Sequence, residues 1–341
     1  MSDCPYSSQF RSEPMDRRSF LKTAVTSASV AIASTLHAAE PPRPKGSLPM
    51  RPFKGSFNLS IIGFPGLCLN RVDQENANRI VARAYDEGIN YFDVAPAYGS
   101  AEEKLGPALE PYRKNVFLAC KTKARDADGT RAEMKRSMER LRTDHFELYQ
   151  LHVLKFTDKD VDAAFMKGGA MEAIEEAKKD GRIRYVGFSA HTIEAAEAAL
   201  NRYPFDSMML PINYASFYKG DFGPTAVKLA QEKGTKIISI KAFVKQEWPS
   251  DWAKDPVLSD IRKKYPLWFQ PLIDPHEQAL GVRFALSQPI VSAIPPADDR
   301  FIWSGIEIAR RFTPINEAEQ KELMALAETV TPFFRKGKIT G

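Results

Sequence analysis

Short apolar runs alternate along this chain with longer segments in which apolar residues recur every three or four positions. Apolar runs of five or six residues are typical of strands. The segments between them, such as QENANRIVARAYDEG and AMEAIEEAKKDG, have helical spacing and end in Gly, Arg or Lys, as helices do. The pattern predicts strands at residues 57–62, 89–94, 115–120, 146–151, 183–188, 206–210, 236–240 and 290–294.

Eight strands that alternate with helices favour an α/β architecture, a (β/α)8 or TIM barrel. The alternative is an open, doubly wound sheet, for which we would expect a glycine-rich, phosphate-binding turn after the first strand. The sequence there reads IIGFPGLC and does not fit G-x-G-x-x-G, so the barrel is the prediction.

A long connection rich in Trp and Pro follows the seventh predicted strand, at residues 244–275. It emerges on the face where barrel active sites lie. It either covers the mouth as a wall for a sugar or an apolar substrate, or forms a small satellite core under a long loop. Its aromatic residues are Trp248, Trp252, Tyr265, Trp268 and Phe269.

The first 39 residues have a different pattern. Arg17 and Arg18 precede the sequence SFLK, a weakly apolar stretch follows, and alanines stand at positions 38 and 39. This resembles a twin-arginine export signal; the alternative is a basic tail before a short amphipathic helix. The resemblance implies export of the folded chain to the periplasm by the twin-arginine machinery. The predicted organisation is a signal peptide at 1–39, a Pro-rich linker at 40–56, the barrel at 57–332 and a C-terminal tail at 333–341.

Composition excludes some partners and cofactors. The 48 basic and 43 acidic residues leave a net charge of +5 without a long basic run, so we expect no nucleic-acid or membrane-surface partner. The body of the chain has no apolar span long enough for a stable membrane crossing. Outside the signal, Cys68 and Cys120 are expected to be buried thiols rather than a disulfide. No metal site is predicted, because neither these cysteines nor the five histidines have ligand spacing. A metal-dependent barrel enzyme acting on sugars is therefore disfavoured.

Polar side chains stand at the carboxyl ends of consecutive predicted strands, where barrel chemistry belongs. They are Asp93 with Tyr98 on the loop beyond it, Lys121 and Lys123, His152, and Ser189 with His191. A phenol has an ordinary pKa of about 10. A neighbouring ammonium lowers the pKa of a phenol, and a carboxylate holds that ammonium in place. Such a tyrosine could protonate a carbonyl oxygen as hydride reaches the carbon, while an imidazole orients the carbonyl.

Three stretches resemble signatures of the aldo-keto reductase family, and the resemblance covers roughly residues 57–332. They are YFDVAPAYGSAEEKLGPAL, SMERLRTDHFELYQLH and GRIRYVGFS. The resemblance implies a catalytic tetrad of Asp93, Tyr98, Lys121 and His152. Lys121 is preferred to Lys123 because it directly ends the apolar strand. The resemblance also implies NADP, or NAD, as cofactor.

The predicted cofactor seat departs from the family pattern. Ser189 is kept, but Ala190 replaces the asparagine that follows it, and Met209 replaces a glutamine when the chain is aligned on Asn213. Ile240 stands where an aromatic ring stacks under nicotinamide. These changes put the cofactor in doubt, since each lost hydrogen bond contributes on the order of 1 kcal/mol.

Two further positions complete the predicted cofactor-binding site. Lys241 resembles the Met-Lys of some bacterial branches, and the phosphate clamp reads AIPPADDRF, with Pro296 for glycine and Arg300 as the nearby base. The predicted cofactor-binding residues are therefore Ser189, Asn213, Lys241 and Arg300.

Two functions remain open from the sequence. The first is an exported oxidoreductase that interconverts a small carbonyl compound and an alcohol, with a sugar among the candidate substrates and Tyr98 as general acid and base. The second is a catalytically silent barrel that binds a carbohydrate or a small metabolite.

Replacing both signal arginines by lysine (Arg17→Lys with Arg18→Lys) should abolish export in a bacterial host that has the twin-arginine pathway, because the consecutive arginines carry the resemblance. Immunoblots of periplasmic and cytoplasmic fractions measure this, with Arg11→Lys as the control. Unchanged periplasmic protein in the double variant would contradict the signal.

Overall fold

The computed structural model describes residues 47–340. The predicted signal, the first part of the predicted linker (40–46) and Gly341 lie outside the described residues. The strands are β1 Met50–Pro52, β2 Asn58–Ser60, β3 Phe64–Pro65, β4 Tyr91–Asp93, β5 Phe117–Thr122, β6 Phe146–Leu154, β7 Ile183–Ala190, β8 Ser207–Pro211, β9 Lys236–Ile240, β10 Val244–Gln246, β11 Gln270–Pro271 and β12 Ile290–Ile294.

Eight of these strands form one parallel sheet in the order β3-β4-β5-β6-β7-β8-β9-β12. A parallel bridge between Ile62 and Ala293 joins its two edges. The bridge is made by Gly63 N–H donating to Ala293 O at 3.0 Å and Ala293 N–H donating to Ile61 O at 2.9 Å. The predicted α/β barrel with its long insertion after the seventh barrel strand, β9, is therefore confirmed.

Helices connect the strands, and most of the longer ones begin at a side chain that caps the first turn. Asp73, Asp126 and Thr192, for example, accept the backbone N–H of Asn76, Gly129 and Ala195. The α-helices are Gln74–Asp86, Ala101–Leu109, Ala127–Leu141, Ala163–Phe165, Ala170–Lys179, Ile193–Arg202, Tyr214–Tyr218, Pro224–Glu232, Pro256–Lys264, Pro275–Ser287, Asp299–Arg310 and Glu317–Thr329. Short 3-10 segments lie at Gly66–Arg71, Glu110–Asn115 and Trp252–Lys254, and a π-helical turn at Thr157–Asp162.

The first predicted strand is displaced in the structure, whereas each of the other predicted strands overlaps a barrel strand. Residues 57–62 contain β2, which pairs antiparallel with β1, and the barrel wall begins only at β3. Gly63 lies at the change of direction. A Cβ there would come within 2.4 Å of Ile294 Cδ1 and 2.7 Å of Tyr91 Cδ1, so only glycine fits this close approach.

Residues 48–56, which the sequence places in a linker, pack against the barrel. Leu48 and Phe53 are buried, and the Phe53 ring meets Phe117 and Tyr185 edge-on at centroid distances of 5.1 and 5.3 Å. With β2, this segment forms a hairpin whose buried side chains close the barrel interior.

The insertion after β9 contains a small antiparallel pair, β10 with β11, and the helix Pro256–Lys264. Trp248 donates its indole N–H to Leu267 O at 2.9 Å, and the Arg262 guanidinium lies over both Trp248 and Trp252. These tryptophans form a satellite cluster. Trp268 and Phe269, by contrast, line a cavity at the barrel mouth. The insertion thus forms both a local cluster and part of the cavity wall, and the kind of ligand that this wall contacts stays a prediction.

The predicted C-terminal tail also packs on the barrel: Phe334 is fully buried, and Thr340 O accepts a hydrogen bond from His191 Nδ1 at 3.2 Å.

Cys68 and Cys120 are buried thiols that form no disulfide, as predicted.

Over residues 47–340 no helix has the length and apolar character to cross a membrane. In the same range no group of three or more His, Cys, Asp or Glu could hold a metal ion.

Phe53→Ala should lower the free energy of unfolding by about 3–5 kcal/mol, because it empties a packed aromatic site in the hairpin. Urea unfolding measures this. Phe156→Ala is the matched control, since Phe156 is exposed and its removal should change stability by only about 0.5 kcal/mol. Equal effects of the two variants would show that the hairpin contributes little to the fold.

Candidate active site

Three neighbouring parallel strands bring the predicted tetrad together. Asp93 ends β4, Lys121 lies near the end of β5, and His152 lies near the end of β6. Tyr98 follows β4 in a turn closed by its own N–H donating to Ala95 O at 3.0 Å. Because the strands are parallel, their carboxyl ends meet at one face of the barrel.

Lys121 and Asp93 form a buried ion pair in which every polar atom is partnered. The side chains are 0% and 4% exposed. The Lys121 ammonium donates to Asp93 Oδ1 and, at 3.1 Å, to the carbonyl of Val94. Asp93 Oδ2 accepts from Gln150 Nε2 and from the Tyr91 hydroxyl, each at 3.2 Å. Burial is the largest single effect and disfavours the ammonium, but Asp93 and Tyr98 together outweigh burial and raise the pKa of Lys121 to about 12.

Of the two lysines considered in the sequence, Lys121 is thus the one that pairs with Asp93, whereas Lys123 is exposed.

Tyr98 lies against both the ion pair and the imidazole. The Lys121 ammonium lies 5.0 Å from the centroid of the Tyr98 ring, and the Tyr98 and His152 rings meet edge-on, with centroids 5.6 Å apart. Burial raises the pKa of Tyr98, and Lys121 lowers it by a smaller amount, so the net pKa lies above the ordinary value. The lysine lowers the pKa of Tyr98, as predicted, but burial is the larger effect.

His152 is neutral at neutral pH. Burial first, and then the nearby positive charge of Lys121 and Lys123, holds its pKa well below the ordinary value. Its Nδ1 is buried and has no hydrogen-bond partner among the described residues. A neutral imidazole at this position can donate one N–H to a ligand oxygen.

A cavity of about 190 Å³ opens above these residues. Most of its wall is apolar or aromatic. It is lined by Pro65, Leu67, Asp93, Tyr98, His152, Ser189, His191, Met209, Ile240, Lys241, Trp268, Phe269, Ile294, Pro295, Pro296 and Ala297.

Two of the four predicted cofactor residues, Ser189 and Lys241, line this cavity. Ser189 is buried, and its hydroxyl has no hydrogen-bond partner within the described chain. Met209 and Ile240, the residues that replace the family's glutamine and aromatic ring, also face the cavity.

The other two predicted cofactor residues do not line the cavity. Asn213 is buried as the N-cap of the helix Tyr214–Tyr218, where its Oδ1 accepts the N–H of Ser216 at 2.9 Å. Arg300 is already partnered: its Nε donates to Asp298 Oδ1 at 2.8 Å and its Nη2 to Lys264 O at 2.6 Å. Its guanidinium also lies 4.1 Å from the Tyr265 ring centroid. Both side chains therefore stabilise local structure.

Sequence reasoning missed the residues that hold Asp93 in place. Tyr91 lies two positions before Asp93, and Gln150 lies two positions before His152. Side chains at i and i+2 of a strand point to the same face. A polar residue two positions before a predicted site residue was therefore the available signal.

The model of the aldo/keto reductase family matches residues 61–247 of the chain. An uncharacterized oxidoreductase YqkF of Bacillus subtilis (strain 168) is 33% identical over 148 residues, which are 39% of this chain and 46% of that protein. Aldo-keto reductase YhdN of the same organism is 32% identical over 155 residues, 41% of this chain and 45% of that protein.

A more distant relative is the L-galactose dehydrogenase of Arabidopsis thaliana, 24% identical over 218 residues, 58% of this chain and 66% of that protein. The chain thus spans less than two thirds of the length of each of these relatives.

Solved structures share the fold. The holo form of aldo-keto reductase AKR11C1 from Bacillus halodurans superposes with a TM-score of 0.64 at 23% identity, covering 83% of this chain and 98% of that one. An aldo/keto reductase from Brucella melitensis gives a TM-score of 0.58 at 16% identity, covering 83% and 99%. At such identities the likeness establishes the barrel.

Lys121→Met should lower the free energy of unfolding by about 3–5 kcal/mol, because it leaves the Asp93 carboxylate buried without its cation. The double variant Lys121→Met with Asp93→Asn should recover at least half of this loss, since the amide removes the charge and can still accept a hydrogen bond. Urea unfolding of both variants and of Asp93→Asn gives a double-mutant cycle, which measures the coupling between the two residues. Additive losses would contradict a coupled pair.

Proposed function

Because the chain belongs to the aldo/keto reductase family, we propose that it is an oxidoreductase that interconverts a carbonyl compound and an alcohol with a nicotinamide cofactor. One observation carries the proposal. A buried, fully partnered Lys121–Asp93 pair lies beside the Tyr98 ring, and the neutral His152 meets that ring edge-on. Asp93, Tyr98 and His152 line one cavity, as acid-base chemistry on a carbonyl requires.

The cavity residues fit a nicotinamide ring. The unpartnered hydroxyl of Ser189 offers a hydrogen bond to a carboxamide, and Met209 and Ile240 offer an apolar surface for the ring. When bound, such a cofactor supplies or accepts hydride. Arg300 is not assigned to a cofactor phosphate, because Asp298 and Lys264 already engage it. The choice between NADP and NAD therefore does not rest on Arg300.

Tyr98 is the general acid in the proposed reduction. Its raised pKa keeps the phenol protonated at neutral pH, so a proton is available for the carbonyl oxygen. The phenolate left after proton transfer is stabilised by the Lys121 ammonium. In the opposite direction the phenolate would take the proton from an alcohol, which the raised pKa disfavours at neutral pH. We therefore expect carbonyl reduction to be the faster direction near neutrality.

Lys121 and His152 support this proton transfer in different ways. Lys121 stays charged, because Asp93 raises its pKa, and it opposes the effect of burial on Tyr98. His152, which is uncharged, can orient the carbonyl through an N–H without competing with Tyr98 as an acid. Asp93 holds the lysine, and Gln150 and Tyr91 hold Asp93.

We also propose that the chain is exported to the periplasm through the twin-arginine pathway, supported by the Arg17-Arg18 sequence. Export in the folded state would allow a nucleotide bound in the cytoplasm to travel with the protein. The second candidate, a silent binder of a carbohydrate or a small metabolite, is favoured by Met209 and Ile240, which lack the groups that the family uses to hold nicotinamide.

Tyr98→Phe should lower the rate of NADPH- or NADH-dependent aldehyde reduction by about 10²–10⁴-fold, because it removes the acidic proton and little else. Steady-state kinetics measures this, and the dissociation constant of the nucleotide should not change.

In the unsubstituted protein the reduction rate should stay level through neutral pH and fall only on the alkaline side. The reason is that the pKa of Tyr98 is raised above the ordinary value of a phenol, so the proton is lost only at alkaline pH.

The control for this experiment is Tyr112→Phe, which removes a phenol that stacks on Tyr85 and does not line the cavity. Full activity in the Tyr98→Phe variant would refute the acid-base role. Nucleotide-independent ligand binding without any turnover in the unsubstituted protein would favour the silent binder.

A further inference from the structure

The cavity contains a second ammonium group that the proposed proton transfer does not use. Lys241 follows β9 and lines the cavity wall. Its Nζ lies 4.7 Å from the centroid of the Trp268 ring and 5.3 Å from that of Phe269. Within residues 47–340, no carboxylate lies within 4.0 Å of this nitrogen, and it donates no hydrogen bond. Among the described residues, this ammonium is therefore held by the faces of two aromatic rings rather than by an ion pair or a hydrogen bond.

The backbone at Lys241 is in a conformation that lysine rarely adopts. Its φ of +67° lies in the left-handed region, which favours glycine. A side chain kept there carries a local conformational cost, and such positions cluster at functional sites. Lys241 therefore combines an unfavourable backbone conformation with a positive charge in the cavity wall.

The charges around the cavity do not balance. Asp93 is the acidic group in its lining, and Lys121 already neutralises it. His191, which also lines the cavity, is uncharged, because burial and the nearby Lys241 lower its pKa to about 3. Burial lowers the pKa of Lys241 itself to about 8, which reflects the cost of a cation without a counter-ion. At neutral pH the residues that line the cavity thus carry one positive charge without a counter-ion, that of Lys241.

The aromatic neighbours of this charge belong to the insertion. Trp268 and Phe269 lie within residues 244–275, whereas His191 follows β7. The predicted phosphate clamp begins after the adjacent strand β12, whose Ile294 pairs with Ile240, the residue before Lys241. The ammonium therefore lies where the two loops meet, with its aromatic contacts on the insertion.

We propose that Lys241 binds a carboxylate of the substrate, so that the carbonyl compound reduced at Tyr98 is an anion whose body packs on Trp268. This assignment rests on the proposed reductase function and adds a substrate class to it. The sequence resemblance gives Lys241 to the cofactor instead. A nucleotide phosphate offers the same chemistry as a carboxylate, an oxyanion beside an ammonium, and the experiment separates these two sources.

The test compares two aldehydes of similar shape that differ in charge, 4-carboxybenzaldehyde and 4-nitrobenzaldehyde. Lys241→Met should lower kcat/KM for the carboxylate at least about tenfold and leave the nitro compound within about threefold. Lys241→Arg should restore most of the loss, since it returns the charge. Lys263→Met, which removes an exposed lysine of the same insertion, should change neither value. The nucleotide dissociation constant, measured by fluorescence titration, should stay the same in all variants.

Equal losses with both aldehydes would overturn the proposal. If they occur together with weaker nucleotide binding, Lys241 serves a cofactor phosphate. If neither aldehyde is reduced by the unsubstituted protein, the proposed reductase function fails on its own. Calorimetric titration of both aldehydes into the unsubstituted protein and Lys241→Met then decides the subsite. A preference for the carboxylate that disappears in the variant supports the subsite, and equal binding of the two compounds refutes it.

Discussion

The ion pair between Lys121 and Asp93 is the interaction on which the rest of the mouth depends. Its two members come from the adjacent strands β4 and β5, and the carboxylate also accepts hydrogen bonds from Tyr91 on β4 and from Gln150 on β6. Without these contacts, two buried charges would cost more than their attraction returns. With them, an ammonium stays charged beside the Tyr98 ring, and the phenol has a fixed electrostatic partner. The parallel barrel provides this arrangement because it ends neighbouring strands at one face.

Much of this arrangement could be predicted from the sequence, because it follows from regular periodicity. Runs of apolar residues predict the strands. Polar residues at the carboxyl ends of these strands are then expected at the mouth of the barrel, and this identifies Asp93, Lys121 and His152. The first strand could not be placed this way. Its apolar run contains both a hairpin strand and the residue that bridges to Ala293, and the change of direction at Gly63 depends on contacts with distant residues.

The electrostatics and the cofactor residues were less predictable. Whether the pKa of Tyr98 rises or falls depends on how deeply the ring is buried, which no local pattern records. The resemblance predicts Asn213 and Arg300 as cofactor residues, yet Asn213 caps a helix and Arg300 pairs with Asp298. The structure therefore brings Asp93, Tyr98, Lys121 and His152 together, as predicted, while two of the four residues predicted to hold a cofactor lie elsewhere. Lys241 adds a positive charge to the cavity lining.

The proposed reaction requires that this mouth bind a nicotinamide nucleotide beside Tyr98. Equilibrium titration of the purified protein with NADPH and with NADH, followed by fluorescence, measures such binding. We expect saturable binding of at least one of them with a dissociation constant in the micromolar range, about −8 kcal/mol in binding free energy. No binding of either nucleotide at millimolar concentration would refute the proposed reaction. The barrel would then have to be understood as a binding protein.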